Sequence, residues 1–415
     1  MSANYGTFRG NPQRRPVIPC ELRPPLAHKW YEDLGARPTH PLVGDGLVFV
    51  RRKDKKTVAK DEETGKTVWL SRSPGRPKAL DVGRLLLYDR DLTVVEPQAG
   101  HLLKPIAGPG ALEAAWLRDS LVAVTFSEGS SRLYVSSFET GALVWEHRLP
   151  EMSADPEGLR LAISSSFGAT SDCVIFGVSG GTVQALRLRD GSRLWEASVA
   201  DLEWELLGRG MKPGQAMGAV VINGDLALLE VLGGHVAALH VDTGERAWVW
   251  SEGPDLSECY LHGDRYYAHS GGGRIWAISP STGRTVQSFD LYARMPAKVR
   301  MSIGEICGPF VVSETHFFTG STTGYIAAFD RADGRYVWSD RPRGNRGCTY
   351  YNGNYFMAVN RRLYYGDQSF GIHCWEEDEP VRSHSVGSKS RGSAAARSPS
   401  GSKGKKAAAR PGKGR

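Results

Sequence analysis

A short phrase recurs along this 415-residue chain. It consists of an apolar run, an acidic or polar residue, Thr-Gly or a variant, and Trp four residues after the Gly. The fullest copy is Ala59, Asp61, Thr64, Gly65 and Trp69. Shorter copies centre on Gly141 with Trp145, Gly191 with Trp195, Gly244 with Trp248, and Gly334 with Trp338. Two degraded copies keep the turn without the indole: Gly100 followed by Lys104, and Gly283 followed by Gln287. Successive glycines stand 35, 41, 50, 53, 39 and 51 residues apart. A period of roughly 40–50 residues built of strands predicts a propeller or an array of stacked sheets.

Each phrase reads as a β-hairpin. The apolar runs alternate as strands do, with Val183, Ala185 and Leu188 in one copy and Val236, Ala238 and Val241 in another. The Asp-x-x-Thr-Gly or Asp-Gly step supplies the turn, and glycine accepts the positive φ that a tight hairpin needs. The Trp then opens the following strand, where its ring can lie between neighbouring sheets and bury ~150–250 Å². One such sheet cannot cover both of its faces, so copies must stack, and radial stacking limits exposed edges. Trp30, Trp69, Trp145, Trp195, Trp248 and Trp338, with Gly65, Gly141, Gly191, Gly244, Gly283 and Gly334, are therefore expected to be docking residues between blades rather than ligand contacts.

The phrase Ala-x-Asp-x-x-Thr-Gly-x-x-x-Trp resembles the tryptophan-docking repeat of pyrroloquinoline-quinone (PQQ)-like β-propellers. That superfamily includes quinoprotein alcohol dehydrogenases, the propeller lipoprotein of the bacterial outer-membrane assembly machine and many propeller-repeat proteins without a known activity. Residues 59–69 match at every specified position. Ala328, Asp330, Gly334 and Trp338 match with Asp333 in place of Thr, while Arg187, His240 and Ser279 replace the Asp of other copies. The opening, from Phe8-Arg9-Gly10-Asn11 to Trp30 and then Gly44 to Val50, resembles the start of such proteins, and the resemblance spans about residues 8–376. It implies a fold more than an activity, because the motif is a packing device.

The fold class expected is all-β: a single eight-bladed β-propeller, with seven blades as the alternative. Seven turn-plus-strand units end near the glycines named above. An eighth reads from Tyr350–Phe356 and Leu363–Gly366, and the orphan phrase Lys29–Leu34 supplies its outer strand, so that the N-terminal strand closes the ring. The expected division is a lead-in over 1–24, the propeller over 25–378, and a disordered tail over 379–415.

That tail dominates the charge. Residues 382–415 hold ten Lys and Arg and no Asp or Glu. The chain as a whole carries +7, which leaves −3 for residues 1–381. A Ser-, Gly-, Ala- and Pro-rich stretch of this kind cannot bury enough apolar surface to fold. It reads as a solubilising tail or as a sequence-blind, salt-sensitive polyanion contact through Lys403, Lys405, Lys406, Arg410, Lys413 and Arg415. No stretch approaches the ~20 apolar residues of a membrane span, and Met1–Arg15 lacks the apolar core of a signal peptide. The six cysteines (Cys20, Cys173, Cys259, Cys307, Cys348, Cys374) are scattered without a CxxC or adjacent pair. Buried thiols in a reduced, cytoplasmic, bacterial protein are therefore expected.

In a propeller, the loops that lead from one blade's outer strand to the next blade's inner strand share one face. On that face sequence order places Arg294, Lys298 and Arg300, then Arg341, Arg343 and Arg346, then Arg37 and His40, then Arg72, Arg76 and Lys78. The opposite loops carry Glu151, Asp155, Glu157, Asp201, Glu203 and Glu205. A rim with one positive and one negative half would steer an anionic or dipolar partner. The longest loops, 150–166, 200–218 and 290–308, offer Trp204, Met211 and Tyr292 as plugs for the channel mouth or as anchors. The basic run Arg51, Arg52, Lys53, Lys55, Lys56 falls on an expected hairpin turn and reads as solvated.

Catalytic signatures are absent from the sequence: no Gly-x-Ser-x-Gly elbow, no His-Glu-x-x-His, no phosphate loop. The adjacent cysteines that the quinoprotein resemblance would imply are missing, and no acidic and amide cluster stands out as a calcium cage. No cofactor and no metal site are expected. The reading is a non-enzymatic interaction scaffold that binds a protein partner through its loop-rich face. The alternatives are a nucleic-acid- or polyanion-tethered adaptor that uses the basic tail, and a degenerate PQQ-dependent dehydrogenase.

Overall fold

The computed structural model describes residues 20–35, 41–81, 83–89, 91–106, 113–116, 122–126, 132–149, 163–165, 167–205, 210–253, 256–270, 272–342, 355–366 and 371–378. These belong to one compact unit, residues 1–378; residues 379–415 form a second unit, and the tail contacts expected there lie outside the described residues.

Among the described residues the strands fall into eight four-stranded antiparallel sheets and one two-stranded ribbon, Trp204–Glu205 with Met211–Lys212. Seven sheets are consecutive meanders, over residues 42–74, 76–106, 113–148, 168–198, 216–250, 256–290 and 306–340. In the eighth, the strands Tyr355–Val359, Arg362–Gly366 and Gly371–Glu377 are joined by Leu26–Asp33, which pairs antiparallel with Gly371–Glu377 from Leu26 opposite Glu377 to Asp33 opposite Gly371. First strands of successive sheets lie side by side: 76–81 beside 42–44 and 113–116, then 216–223 beside 256–262, 256–262 beside 306–312, and 306–312 beside 355–359. Radially packed meanders of this kind are the arrangement of a β-propeller.

The recurring phrase explains the local geometry. In the first sheet, Asp61 opens the turn and its Oδ1 accepts hydrogen bonds from Thr64 N and Thr64 Oγ1 at 2.7 and 2.6 Å. Those bonds hold its carboxyl below the ordinary aspartate range. Gly65, at φ +66°, then donates its N–H to Asp61 O at 2.9 Å and closes the turn. Ala59 stands directly opposite Trp69, and the register slips one residue before Lys60 meets Thr67. The same slip sets Ala185 opposite Trp195, Ala238 opposite Trp248 and Ala328 opposite Trp338. A small residue at that position lets the indole swing off its own sheet toward the next one.

The core is a set of apolar layers between sheets. One joins Cys173, Ile175, Val183 and Ala185 to Ala216, Val220, Ala227 and Leu229; another joins Tyr260, Tyr267, Ile275 and Phe289 to Phe310, Phe317 and Phe329. A third joins Trp30, Tyr364, Ile372 and Cys374 of the eighth sheet to Val43, Val48, Val50 and Val58 of the first. A buried polar strap runs beside it. Glu62 accepts from Tyr364 OH at 3.1 Å and from Asn360 Nδ2 at 3.1 and 3.2 Å, and it pairs with Arg362 at 3.3 Å.

Candidate functional site

The indoles sit on the glycine turn of the following sheet. A Cβ built on Gly65 would fall 2.5 Å from Trp30, and one on Gly100, Gly191, Gly244 and Gly283 would fall 2.5–2.8 Å from Trp69, Trp145, Trp195 and Trp248. Each of these rings also donates Nε1–H to a carbonyl in the turn it covers: Glu62 (3.2 Å), Pro97 (2.7 Å), Leu188 (2.7 Å), Val241 (2.6 Å) and Pro280 (3.1 Å). Docking is thus an aromatic contact plus one hydrogen bond.

The degraded copies divide these two tasks. At the seventh turn, Gln287 stands at the Trp position and its Nε2 donates to Ala332 O at 2.6 Å, while Phe289 lays its ring on Gly334, 2.5 Å from a Cβ built there. At the third turn, Lys104 Nζ donates to Glu139 O at 2.8 Å, and a Cβ on Gly141 would meet Pro105 O rather than a ring. Phe289 lay outside the repeat's spacing and was not singled out from the sequence; its place two residues after the Trp position, on the same side of the strand, was the available signal. Trp338 is half-buried against the apolar layer that joins the seventh and eighth sheets and also takes in Cys20, Leu22 and Leu26. Where Gln287 replaces the indole, an open cleft of about 440 Å³ separates the sixth and seventh sheets, with Arg265, Tyr267, Glu314, Asp330 and Arg331 on its walls.

The propeller has two distinct ends. On one, the tight turns meet, as in Glu62 N to Gly46 O (2.9 Å) and Val241 N to Asp225 O (2.8 Å). On the other, the links between sheets are stitched to the second hairpin turn of each sheet. Examples are Lys53 N to Leu34 O (2.9 Å), Gly75 N to Lys55 O (2.8 Å), Val199 N to Gly181 O (2.8 Å) and Leu291 N to Gly273 O (3.0 Å).

That link-bearing end carries the described residues of the proposed face. Arg294 and Lys298 are exposed and Arg300 half-exposed on two short helices, Leu291–Arg294 and Ala297–Ile303, the first capped by Asp290 Oδ1 accepting from Ala293 N at 2.9 Å. Tyr292 and Met301 project beside them, Met301 at 81% exposure. The Arg300 guanidinium lies 5.7 Å from the Tyr292 ring centre and that of Arg341 5.7 Å from the Tyr325 ring centre. Arg72 lies in the last strand of the first sheet, Thr67–Pro74, and Arg76 and Lys78 in the first strand of the second, Arg76–Asp81, rather than in the loop expected between them, because the link is a single residue, Gly75; the turn Arg51–Lys56 lies against that junction through the Gly75–Lys55 bond. The basic turn therefore belongs to this face rather than standing alone. Arg37, His40, Arg343, Arg346, Glu151, Asp155 and Glu157 lie outside the described residues. Asp201 is engaged by Arg246 at 2.8 Å, and Glu203 and Glu205 are exposed.

Among the described residues no three His, Cys, Asp or Glu side chains converge as metal ligands. Cys20, Cys173, Cys259 and Cys374 are buried singly in different layers, where burial raises the thiols of Cys20, Cys173 and Cys374, that of Cys20 to about 11. Among the described residues no helix is long and apolar enough to cross a membrane.

Sheets locked by an indole resting on the next glycine turn define a PQQ-like, tryptophan-docking β-propeller. Comparison with known proteins narrows this further. The model of the outer membrane protein assembly factor BamB family matches residues 28–289 and 205–376, and the chain belongs to that family. BamB of Shewanella oneidensis is 20% identical over 256 residues, which cover 58% of this chain and 60% of that protein. The chain thus spans about 60% of the length of this curated relative. Three solved structures share the fold, each with a TM-score of 0.60. BamB from Moraxella catarrhalis is 14% identical and covers 85% of this chain and 99% of its own. The computationally designed protein Ika8 is 13% identical, covering 83% and 98%. A europium-containing methanol dehydrogenase is 11% identical, covering 88% and 89%.

These matches correct the cytoplasmic placement. The family's named members are outer membrane protein assembly factors, which belong to the bacterial envelope. The cytoplasmic expectation rested on unpaired cysteines and on the composition of Met1–Arg15. Neither is diagnostic: the four described thiols are shielded inside sheet layers, where they neither meet one another nor report on a compartment.

Proposed function

We propose that this chain is a non-enzymatic, eight-bladed propeller, closed on itself by Leu26–Asp33, that serves as an interaction scaffold in envelope protein assembly. Its link-bearing face takes the partner protein. The observation that carries the reading is the arc of cations on that face, Arg294, Lys298, Arg300, Arg341, Arg72 and Arg76, with the exposed side chains of Tyr292 and Met301 set among them. Apolar anchors bordered by charge are the composition of a protein-binding surface: the anchors supply affinity, and the charges steer and orient. Rigid sheets hold these loops in place, and family membership supports the assembly role.

Photo-crosslinking in the native bacterium tests this. A photoreactive residue at Tyr292 or Met301 is expected to capture a discrete envelope protein, and Arg294→Glu with Arg300→Glu and Arg341→Glu to reduce that capture at least tenfold. The same residue at Leu102, on the outer edge of the second sheet, serves as the control. Equal capture from Leu102, or capture indifferent to charge reversal, defeats the reading.

A further inference from the structure

Arg51 closes the second strand of the first sheet and Arg76 opens the first strand of the second, 25 residues later. The fold brings them together through Thr57. Arg51 stands opposite Thr57 across the hairpin, and the buried Thr57 hydroxyl donates to Gly75 O at 2.7 Å, one residue before Arg76. Ser71 fastens the same junction, its Oγ accepting from Thr57 N at 3.0 Å and donating to Ser73 O at 2.7 Å. These bonds hold the strand ends that carry the two arginines together, and each guanidinium lies within the other's electrostatic reach.

Among the described residues no carboxylate lies within ion-pair distance of this juxtaposition. Arg51 makes no hydrogen bond or ion pair among the described residues, and its Nε is buried without an acceptor. Burial and the Arg76 charge both work against its protonated form, with Asp89, an exposed carboxylate beyond ion-pair distance, as the partial offset. The adjoining turn adds Arg52, Lys53, Lys55 and Lys56 against one carboxylate, Asp54, whose Oδ1 accepts from Lys56 N at 3.2 Å. Lys78 extends the patch along the next strand.

We propose that Arg51 and Arg76 form an oxyanion site for a phosphate group, at the junction of the first and second sheets on the link-bearing face. A guanidinium's planar fork of N–H groups matches the oxygens of phosphate, and a group of charge near −2 neutralises two such cations where a carboxylate neutralises one. Binding supplies the acceptor that Arg51 Nε lacks and removes the like-charge repulsion. A phospholipid headgroup and a soluble phosphate ester share this chemistry.

The test uses the full chain with inorganic phosphate and pyrophosphate as probes and thermal unfolding as readout. At ten times the dissociation constant, pyrophosphate is expected to raise the midpoint by about 2 °C. Arg76→Gln alone, at a half-exposed position, should halve that shift, and Arg51→Gln with Arg76→Gln should abolish it. Lys66→Gln with Arg284→Gln, an equal charge change on the opposite end, should leave it intact. Without probe, the Arg51 and Arg76 double variant should be at least as stable as the parent. Vesicles of phosphatidylglycerol, with phosphatidylcholine as reference, assign the source: binding that pyrophosphate competes away points to a headgroup, and no vesicle binding points to a soluble ester. No shift in the parent, an equal shift in the double variant, equal loss in the control, or a double variant markedly less stable without probe would each overturn the site. Because no partner protein is present, failure here leaves the scaffold reading standing.

Discussion

Gly244 and Gly224 form a matched pair within the fifth sheet, and replacing each with Ala isolates the contribution of the docked indole. Both glycines are left-handed, at φ +73° and +63°. An L-residue there costs roughly 1–2 kcal/mol, offset by ~0.4–1 kcal/mol of lost freedom in the unfolded chain. Gly224 has nothing within 4 Å of an added Cβ, so Gly224→Ala should cost about 1 kcal/mol. Gly244 differs in one respect. Its new Cβ would lie 2.5 Å from Trp195 Cε3 and 2.6 Å from Cδ2, so the ring must retreat by about 1 Å to reach ordinary carbon contact. Trp195 is 7% exposed and its Nε1 donates to Val241 O at 2.6 Å, so retreat strains its packing and loosens that bond. Overpacking of this kind costs roughly 1–3 kcal/mol and a lost hydrogen bond ~1 kcal/mol, which places Gly244→Ala about 2–4 kcal/mol below Gly224→Ala. Equilibrium urea unfolding of both variants, compared at equal m-value, measures the gap. Two variants within about 0.5 kcal/mol of each other would refute the idea that glycine is required for the ring's sake rather than for the turn's.

Three further outcomes follow from the same structure. Phe289→Ala should cost about 3–5 kcal/mol as a core aromatic deletion and Gln287→Ala about 1 kcal/mol as one lost hydrogen bond; comparable losses in urea unfolding would show that ring and polar arm do not divide the indole's work. His269 is wholly buried, which pushes its pKa to about 3. The unfolded state takes up the proton first, so stability is full above about pH 6.5 and falls by ~1.4 kcal/mol per unit below it until about pH 3. Between pH 7 and 4.5 this residue alone removes about 2.7 kcal/mol; unfolding curves of His269→Phe should be less steep in pH by that amount, and an unchanged profile removes His269 as the cause. His28, His147, His262 and His316 are lowered in the same direction by burial and keep part of the slope. Glu62→Ala removes the carboxylate that buried Tyr364 donates to and one of the three that pair with Arg362, which keeps Glu63 and Glu376; it should cost about 1–2 kcal/mol, with faster hydrogen exchange across 355–366 than in the sixth sheet, and a uniform effect on all sheets would show that the strap is not local.

The all-β propeller was legible because its packing device is local. Ala59, Asp61, Gly65 and Trp69 lie within eleven residues, and their spacing encodes the turn, the register slip and the ring together. What the spacing cannot show is a substitution by committee. Gln287 looks like a lost Trp until Phe289 is seen on Gly334, because polar and aromatic contacts can be supplied by different residues of one strand. The basic turn Arg51–Lys56 read as solvated for a similar reason: its neighbour Arg76 arrives from the next sheet through Thr57 and Gly75, a relation with no sequence period. Placement in the cell was misread because scattered thiols speak to burial, not to compartment.

Docking in this molecule has a direction. Each docked indole projects forward onto its successor's turn, and what a turn sends back is polar rather than aromatic, as with Gln98 Nε2 donating to Asp45 O at 2.9 Å and Glu62 accepting from Tyr364 OH at 3.1 Å. Damage should therefore travel upstream: loosening one turn frees the aromatic of the preceding repeat, while losing an aromatic leaves that repeat's own turn closed by its Gly and Asp bonds. A segment running from one such turn to the next is also a cassette with a socket at its head and a plug at its tail, so duplication or excision of whole repeats would preserve the indole joints, while those made by Lys104 and by Gln287 with Phe289 would have to keep their own partners.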